Sequence, residues 1–211
     1  MRRRTRLNWL MFVLLVSGCA ITLQGQFRVL PGKTDADGLP VTPARICLGA
    51  TGTEHCYAPP SNKYAFGLEP KARVVAKLKG KDLILFTAIF SGGGSGTLSN
   101  MALLEEQSCE FVNLLPKVQL TNQSEYKLWD LPQVSSLPVF VTAEFVWDFD
   151  ARETHLAAHR YEVNMYVFDA KIGRYQQRVQ YVTTKKYPGL DDSDAIRVLD
   201  AERPAILARL R

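Results

Sequence analysis

Four short stretches hold residues whose types and spacing could do chemistry. In "ETHLAAH", residues 153–159, His155 and His159 stand four apart beside Glu153, a spacing that on a helix would turn two imidazoles toward a zinc ion. The order is not His-Glu-x-x-His, no third ligand is evident, and the segment reads as a connection between strands, so no metal site is expected. "DFDARE", 148–153, sets Asp148 and Asp150 two apart, as a calcium loop begins. An EF-hand would need Gly where Glu153 stands and Glu where His159 stands, which leaves only a looser, turn-built calcium site near Asp148 and Asp150. "FSGGGSGTLS", 90–99, lacks the second glycine of a nucleophile elbow, because Thr97 follows two after Ser95. It also lacks the Gly-Lys-Ser/Thr that ends a phosphate loop. Ser91, Gly92, Gly93, Gly94, Ser95 and Gly96 then read in two ways. They form either a plain flexible hairpin loop or a protruding one whose bare backbone lets a partner approach closely. Tyr187, Asp191 and Asp192 in "YPGLDD" sit on a turn, for structure first and partner contact second. No catalytic set emerges.

The elements that must carry these loops are mostly strands. "ARVVAKL" (72–78) alternates, and "DLILFTAIFS" (82–91) is apolar on both faces, as a central strand is. "TLSNMALLE" and "SEYKLWDL" are shorter candidates. In "PVFVTAEFVWDFD" one face takes Val139, Val141, Ala143, Phe145 and Trp147, and the other takes Thr142, Glu144 and Asp148. Tyr161, Val163, Met165 and Val167 share a face of the next strand, and Tyr175, Val179 and Tyr181 share one in the last. Gly173, in the loop "DAKIGR", is placed to take positive φ. The reading is a three-stranded antiparallel meander over 138–184. "DAERPAILARLR" predicts a terminal helix capped by Asp200, with Pro204 near its start and Ile206, Leu207 and Leu210 as its apolar stripe. The expected fold is therefore mainly β, an antiparallel meander or sandwich-like sheet with a short C-terminal α-helix.

The chain opens with Arg2, Arg3, Arg4 and Arg6, then runs apolar from Trp9 to Val16. That is the layout of a secretory signal, and the apolar run is far short of the roughly 20 residues that span a bilayer. Val16-Ser17-Gly18-Cys19 resembles the lipobox of bacterial lipoproteins. The resemblance implies that residues 1–18 are removed and that Cys19 becomes the first residue, acylated on its sulfur and its new amine. Two or more acyl chains anchor stably where one does not. Ala20 follows, not the Asp that in Gram-negative bacteria commonly retains such proteins at the inner membrane. The implied location is the inner leaflet of the outer membrane, with residues 19–30 as a lipidated tether and 31–211 as one β-rich domain. The covalent lipid would be the sole non-protein group apart from that calcium.

Loss of residues 1–18 takes four of the 26 basic residues and none of the 21 acidic ones, leaving a net charge of +1 rather than +5. The basic excess that would argue for nucleic acid disappears. Cys47 and Cys56 flank "LGATGTEH", a stretch able to turn back, and an extracytoplasmic compartment permits their disulfide, which would stabilise by about 2–3 kcal/mol. Cys109 is then either a buried thiol or the true partner of one of them.

The loop Ser91-Gly92-Gly93-Gly94-Ser95-Gly96 and the strand-rich stretch 138–184 resemble the periplasmic lysozyme inhibitors and related immunity lipoproteins. These are β-sheet domains that insert a Ser-Gly-containing loop into an enzyme cleft. Their loops usually bring a nearby tyrosine, and none lies between Ser91 and Thr97. The resemblance covers about half of the chain beyond Cys19. It implies a lipid-anchored, periplasm-facing binding protein with a protein partner, an inhibitor of or immunity factor against a cell-wall hydrolase, and not an enzyme. A structural or assembly lipoprotein that joins an outer-membrane complex is the second reading. A hydrolase using Asp148, Asp150 or Glu153 is the third.

Overall fold

The computed structural model describes residues 27–60, 66–91, 97–147, 154, 157–188 and 197–210. The protein is mainly β, with antiparallel sheets and, among the described residues, one short C-terminal helix. Two sheets form a sandwich. The first is built from β6 (Glu69–Leu78), β7 (Lys81–Ser91), β8 (Thr97–Gln107), β9 (Glu110–Asn113) and β10 (Val118–Leu120), in the order β10-β8-β7-β6 with β9 against β8. The second is the meander β11 (Glu125–Trp129), β12 (Val139–Val146), β13 (Arg160–Asp169) and β14 (Arg174–Val182). A three-stranded sheet of β1 (Phe27–Leu30), β4 (Arg45–Leu48) and β5 (His55–Tyr57) covers the outer face of the first sheet, and α1 (Val198–Ala208) covers that of the second. β2 (Lys33–Thr34) and β3 (Pro40–Thr42) form a separate ribbon.

This layering explains the uninterrupted apolar runs. Along β7, Leu83 and Leu85 face the second sheet, whereas Ile84, Phe86 and Ala88 face the small one. β12 divides likewise: Val139, Val141, Ala143 and Phe145 pack under the helix, and Phe140 packs between the sheets. A strand covered on both sides has no polar face to offer, so period-two alternation vanishes from its sequence. Full burial of each Val, Leu, Ile or Phe among them contributes about 1.5–3 kcal/mol.

Four local features depart from the sequence reading. Residues 27–30, assigned to the tether, form β1 and pair with β4 from Phe27↔Leu48 to Leu30↔Arg45. Tyr175 does not share a face with Val179, because the β13–β14 register steps from Met165↔Val179 to Tyr166↔Gln177. Arg178 is the extra residue of this bulge, and it turns Tyr175 toward Phe140 and Tyr166 while Val179 stays under the helix. The helix starts at Val198, earlier than expected, so Asp200 lies in its first turn and is not the cap. Glu125 does that work from β11, its Oε2 accepting the Leu199 N–H at 2.9 Å, while Lys127 bridges Glu125 and Asp200. Pro204 consequently falls inside the helix.

Cys47 and Cys56 oppose each other on β4 and β5 and are joined by a disulfide. Cys109, at positive φ in the β8–β9 turn, is not a free thiol. Gly173 takes φ +67° in the β13–β14 turn.

Candidate functional site

The described strand ends that flank the stretches singled out by sequence lie at one end of the sandwich. β7 and β8 stay paired out to Ser91↔Thr97, where the described ladder stops at this end. β10 pairs with β8 through Leu120↔Ser99, near the same limit. Thr121 then crosses to the second sheet, its Oγ1 donating to Glu144 Oε1 at 2.9 Å. Val146↔Arg160 marks the end of the β12–β13 ladder, from which the segment of Asp148 and Asp150 departs. Tyr187 exchanges both backbone hydrogen bonds with His159, one residue before β13, so the "YPGLDD" loop leaves from there too. Gly92, Gly93, Gly94, Ser95, Gly96, Asp148, Asp150, Glu153, His155, Asp191 and Asp192 lie outside the described residues, as does Cys19. Ser91, described and exposed, is the foot of the glycine loop.

The described floor of this end is polar where the sandwich interior stops. On the face that carries Phe140 deeper in, Glu144 and Glu162 stand directly opposite each other on β12 and β13. Gln180 Nε2 donates to Glu162 Oε1 at 2.6 Å, and Gln177 Nε2 donates to Asn164 Oδ1 at 2.7 Å. Arg160 lies on the same face, two residues before Glu162. Partial burial pushes the Glu144 carboxyl upward, against the Thr121 hydrogen bond and with the help of the Glu162 charge. The connecting turn is unusual: Gln123, buried, has φ +59°, and the Gln123 side-chain oxygen and the Ser124 hydroxyl have no hydrogen-bond partner among the described residues. A strained non-glycine residue, orphaned polar atoms and a displaced pKa within one turn and two strand ends are the kind of coincidence that functional sites produce. Paired carboxylates of this kind suit a cationic side chain, whose arrival would restore the charge that Glu144 tends to lose.

The remaining sequence candidates have structural duties. Tyr187 is buried, and its hydroxyl donates to Glu202 on α1, as the Tyr181 hydroxyl does at 2.6 Å. Burial and the Glu202 carboxylate hold both phenols above their usual range. His159 is fully buried against Phe145 and Trp147, with Nε2 2.9 Å from the Thr154 carbonyl oxygen, and it leads into a strand rather than riding a helix. Among the described residues no group of three or more His, Cys, Asp or Glu side chains is placed to hold a metal, and no helix is long and apolar enough to cross a membrane.

Sequence reasoning missed the Glu144–Glu162 pair. The signal was present only as an acidic residue on each of two alternating strands, and their register across a long connection could not be read. No protein-family model, curated protein or solved structure matches the chain.

Proposed function

We propose that this is a lipid-anchored, periplasm-facing binding protein that captures a protein partner with the loop-bearing end of its sandwich. The partner class we favour is a cell-wall hydrolase, which the protein inhibits or confers immunity against. The observation that carries the reading is the convergence of Ser91 and Thr97, the Gln123 turn, Val146 and Arg160, and Tyr187 on one end of the two-sheet core. A scaffold of that form presents several loops as one surface, as other sandwiches do. Glu144 and Glu162 add paired carboxylates for a lysine or arginine of the partner. The lipobox-like Val16-Ser17-Gly18-Cys19 supports acylation and outer-membrane placement, and the +1 charge left after removal of the signal argues against nucleic acid. An assembly lipoprotein is the second reading, favoured by β14, which ends its sheet and exposes Val182.

The test is deletion of Gly92–Gly94 in the full chain, with envelope proteins captured beside the wild type and identified by mass spectrometry. Loss of one specific partner with an unchanged melting temperature is expected. Undiminished capture of that partner would remove the glycine loop from the binding surface.

A further inference from the structure

The chain enters the fold at the end opposite the loops. Phe27 opposes Leu48 and lines a small pocket with Lys77, Lys81 and Phe111. The β6–β7 hairpin closes there through Lys79 and Gly80, both at positive φ, with Leu78 opposite Lys81. From Lys81 the strand β7 runs ten steps to Ser91, about 34 Å at a rise of roughly 3.4 Å per residue. Cys19 and Phe27 are eight steps apart, a span that cannot exceed roughly 28 Å fully extended and averages about 16 Å if slack.

We propose that the end formed by Phe27 and the Lys77–Asp82 hairpin rests against the phospholipid headgroup layer, holding the loop-bearing end out into the compartment. This rests on the acylation of Cys19 proposed above. With the chain pinned at Cys19, the upright inverted arrangement is out of reach. Setting Ser91 on the bilayer with β7 along the normal would lift the pocket that Phe27 shares with Lys81 by about 34 Å, more than the fully extended tether spans. Charge adds to this hold but does not set it. Lys77 pairs with Asp82, and Arg28 pairs with Glu54 at 2.7 Å. Lys81 donates to the neutral Glu106 carbonyl oxygen at 2.8 Å and keeps its charge, and Lys79 is exposed at the hairpin tip. Salt should therefore weaken the contact with anionic headgroups without reversing the orientation, which tether length sets.

The test places a benzoylphenylalanine photo-crosslinker at Lys77 in one full-length variant and at Ser91 in another, both positions being exposed. Each acylated protein is reconstituted in vesicles of phosphatidylethanolamine and phosphatidylglycerol and irradiated. Several-fold more phospholipid adduct from position 77 than from position 91, at low and high salt alike, is the expected result. Equal adducts, more from position 91, or none from either with Cys19 acylated would overturn the orientation. The mass of the amino-terminal peptide from the same samples reports separately on the anchor. An unmodified Cys19 would overturn the anchor and the orientation together.

Discussion

Replacing Glu144 with Gln should make the protein more stable at neutral pH and a poorer binder. In the wild type, Glu144 is partly withdrawn from water and stands directly across from Glu162. Like charges in that position cost about 0.2–1 kcal/mol. The amide keeps an oxygen for the Thr121 hydroxyl and gains an N–H that can donate to Glu162. Because Glu144 is only partly buried, the gain is put at ~0.5–1 kcal/mol, or about 1–4 °C in melting temperature for a chain of this length. The pH dependence gives the sharper test. A carboxyl whose folded pKa lies above its unfolded value binds its proton more tightly in the folded state, so stability from this group rises as pH falls toward 4.5. The advantage of E144Q should accordingly be largest near pH 7 and shrink toward pH 4.5, as followed by thermal unfolding across that range. Partner capture should fall at the same time, the usual exchange between stability and a strained binding surface. A lower melting temperature for E144Q, or a difference that ignores pH, would refute the argument about the pair. Undiminished capture would refute its place in the binding surface.

Glu202→Ala removes the acceptor shared by Tyr181 and Tyr187 and should cost ~2 kcal/mol, a fall of about 4–8 °C in thermal melts, with near-ultraviolet dichroism reporting the loosened tyrosines. Tyr161→Phe should be neutral or stabilising by up to ~1 kcal/mol, because the buried Tyr161 hydroxyl has no partner among the described residues. In alkaline titration followed at the phenolate absorbance, Tyr57 and Tyr161, pushed up to about 12 chiefly by burial, should stay protonated past pH 10 together with Tyr166, Tyr175, Tyr181 and Tyr187. Their folded pKa values exceed the unfolded value near 10, so their contribution is complete below pH 10 and is lost as pH rises. Cooperative unfolding with a burst of phenolate absorbance is expected, whereas smooth ionisation of these six tyrosines at pH 10 would contradict the burial.

Features governed by local chemistry were legible in the sequence. The apolar run 82–91 reads as a central strand and lies between β6 and β8 with both faces covered. Gly173 marks a turn, and Ile206 marks the docking stripe of the helix. What was not legible depends on partners distant in sequence. The bulge at Arg178 has no signature in "YQQRVQY", yet it decides which face Tyr175 occupies. The helix cap comes from Glu125, 74 residues away, so no neighbouring Ser, Thr or Asp marks it in the sequence. The Glu144–Glu162 pair exists only once the β12–β13 register is fixed, and the positive φ of Gln123 falls on a residue type that seldom announces one.

The acyl chains proposed at Cys19 decide tether length, orientation and compartment together. Intact and peptide mass spectrometry of the protein extracted from the envelope of its native host tests this directly. The prediction is a mature chain beginning at Cys19, with a diacylglyceryl group on sulfur and a fatty acyl group on nitrogen. A chain that begins elsewhere, an unmodified Cys19, or a Cys19 sulfur held in a disulfide would contradict it.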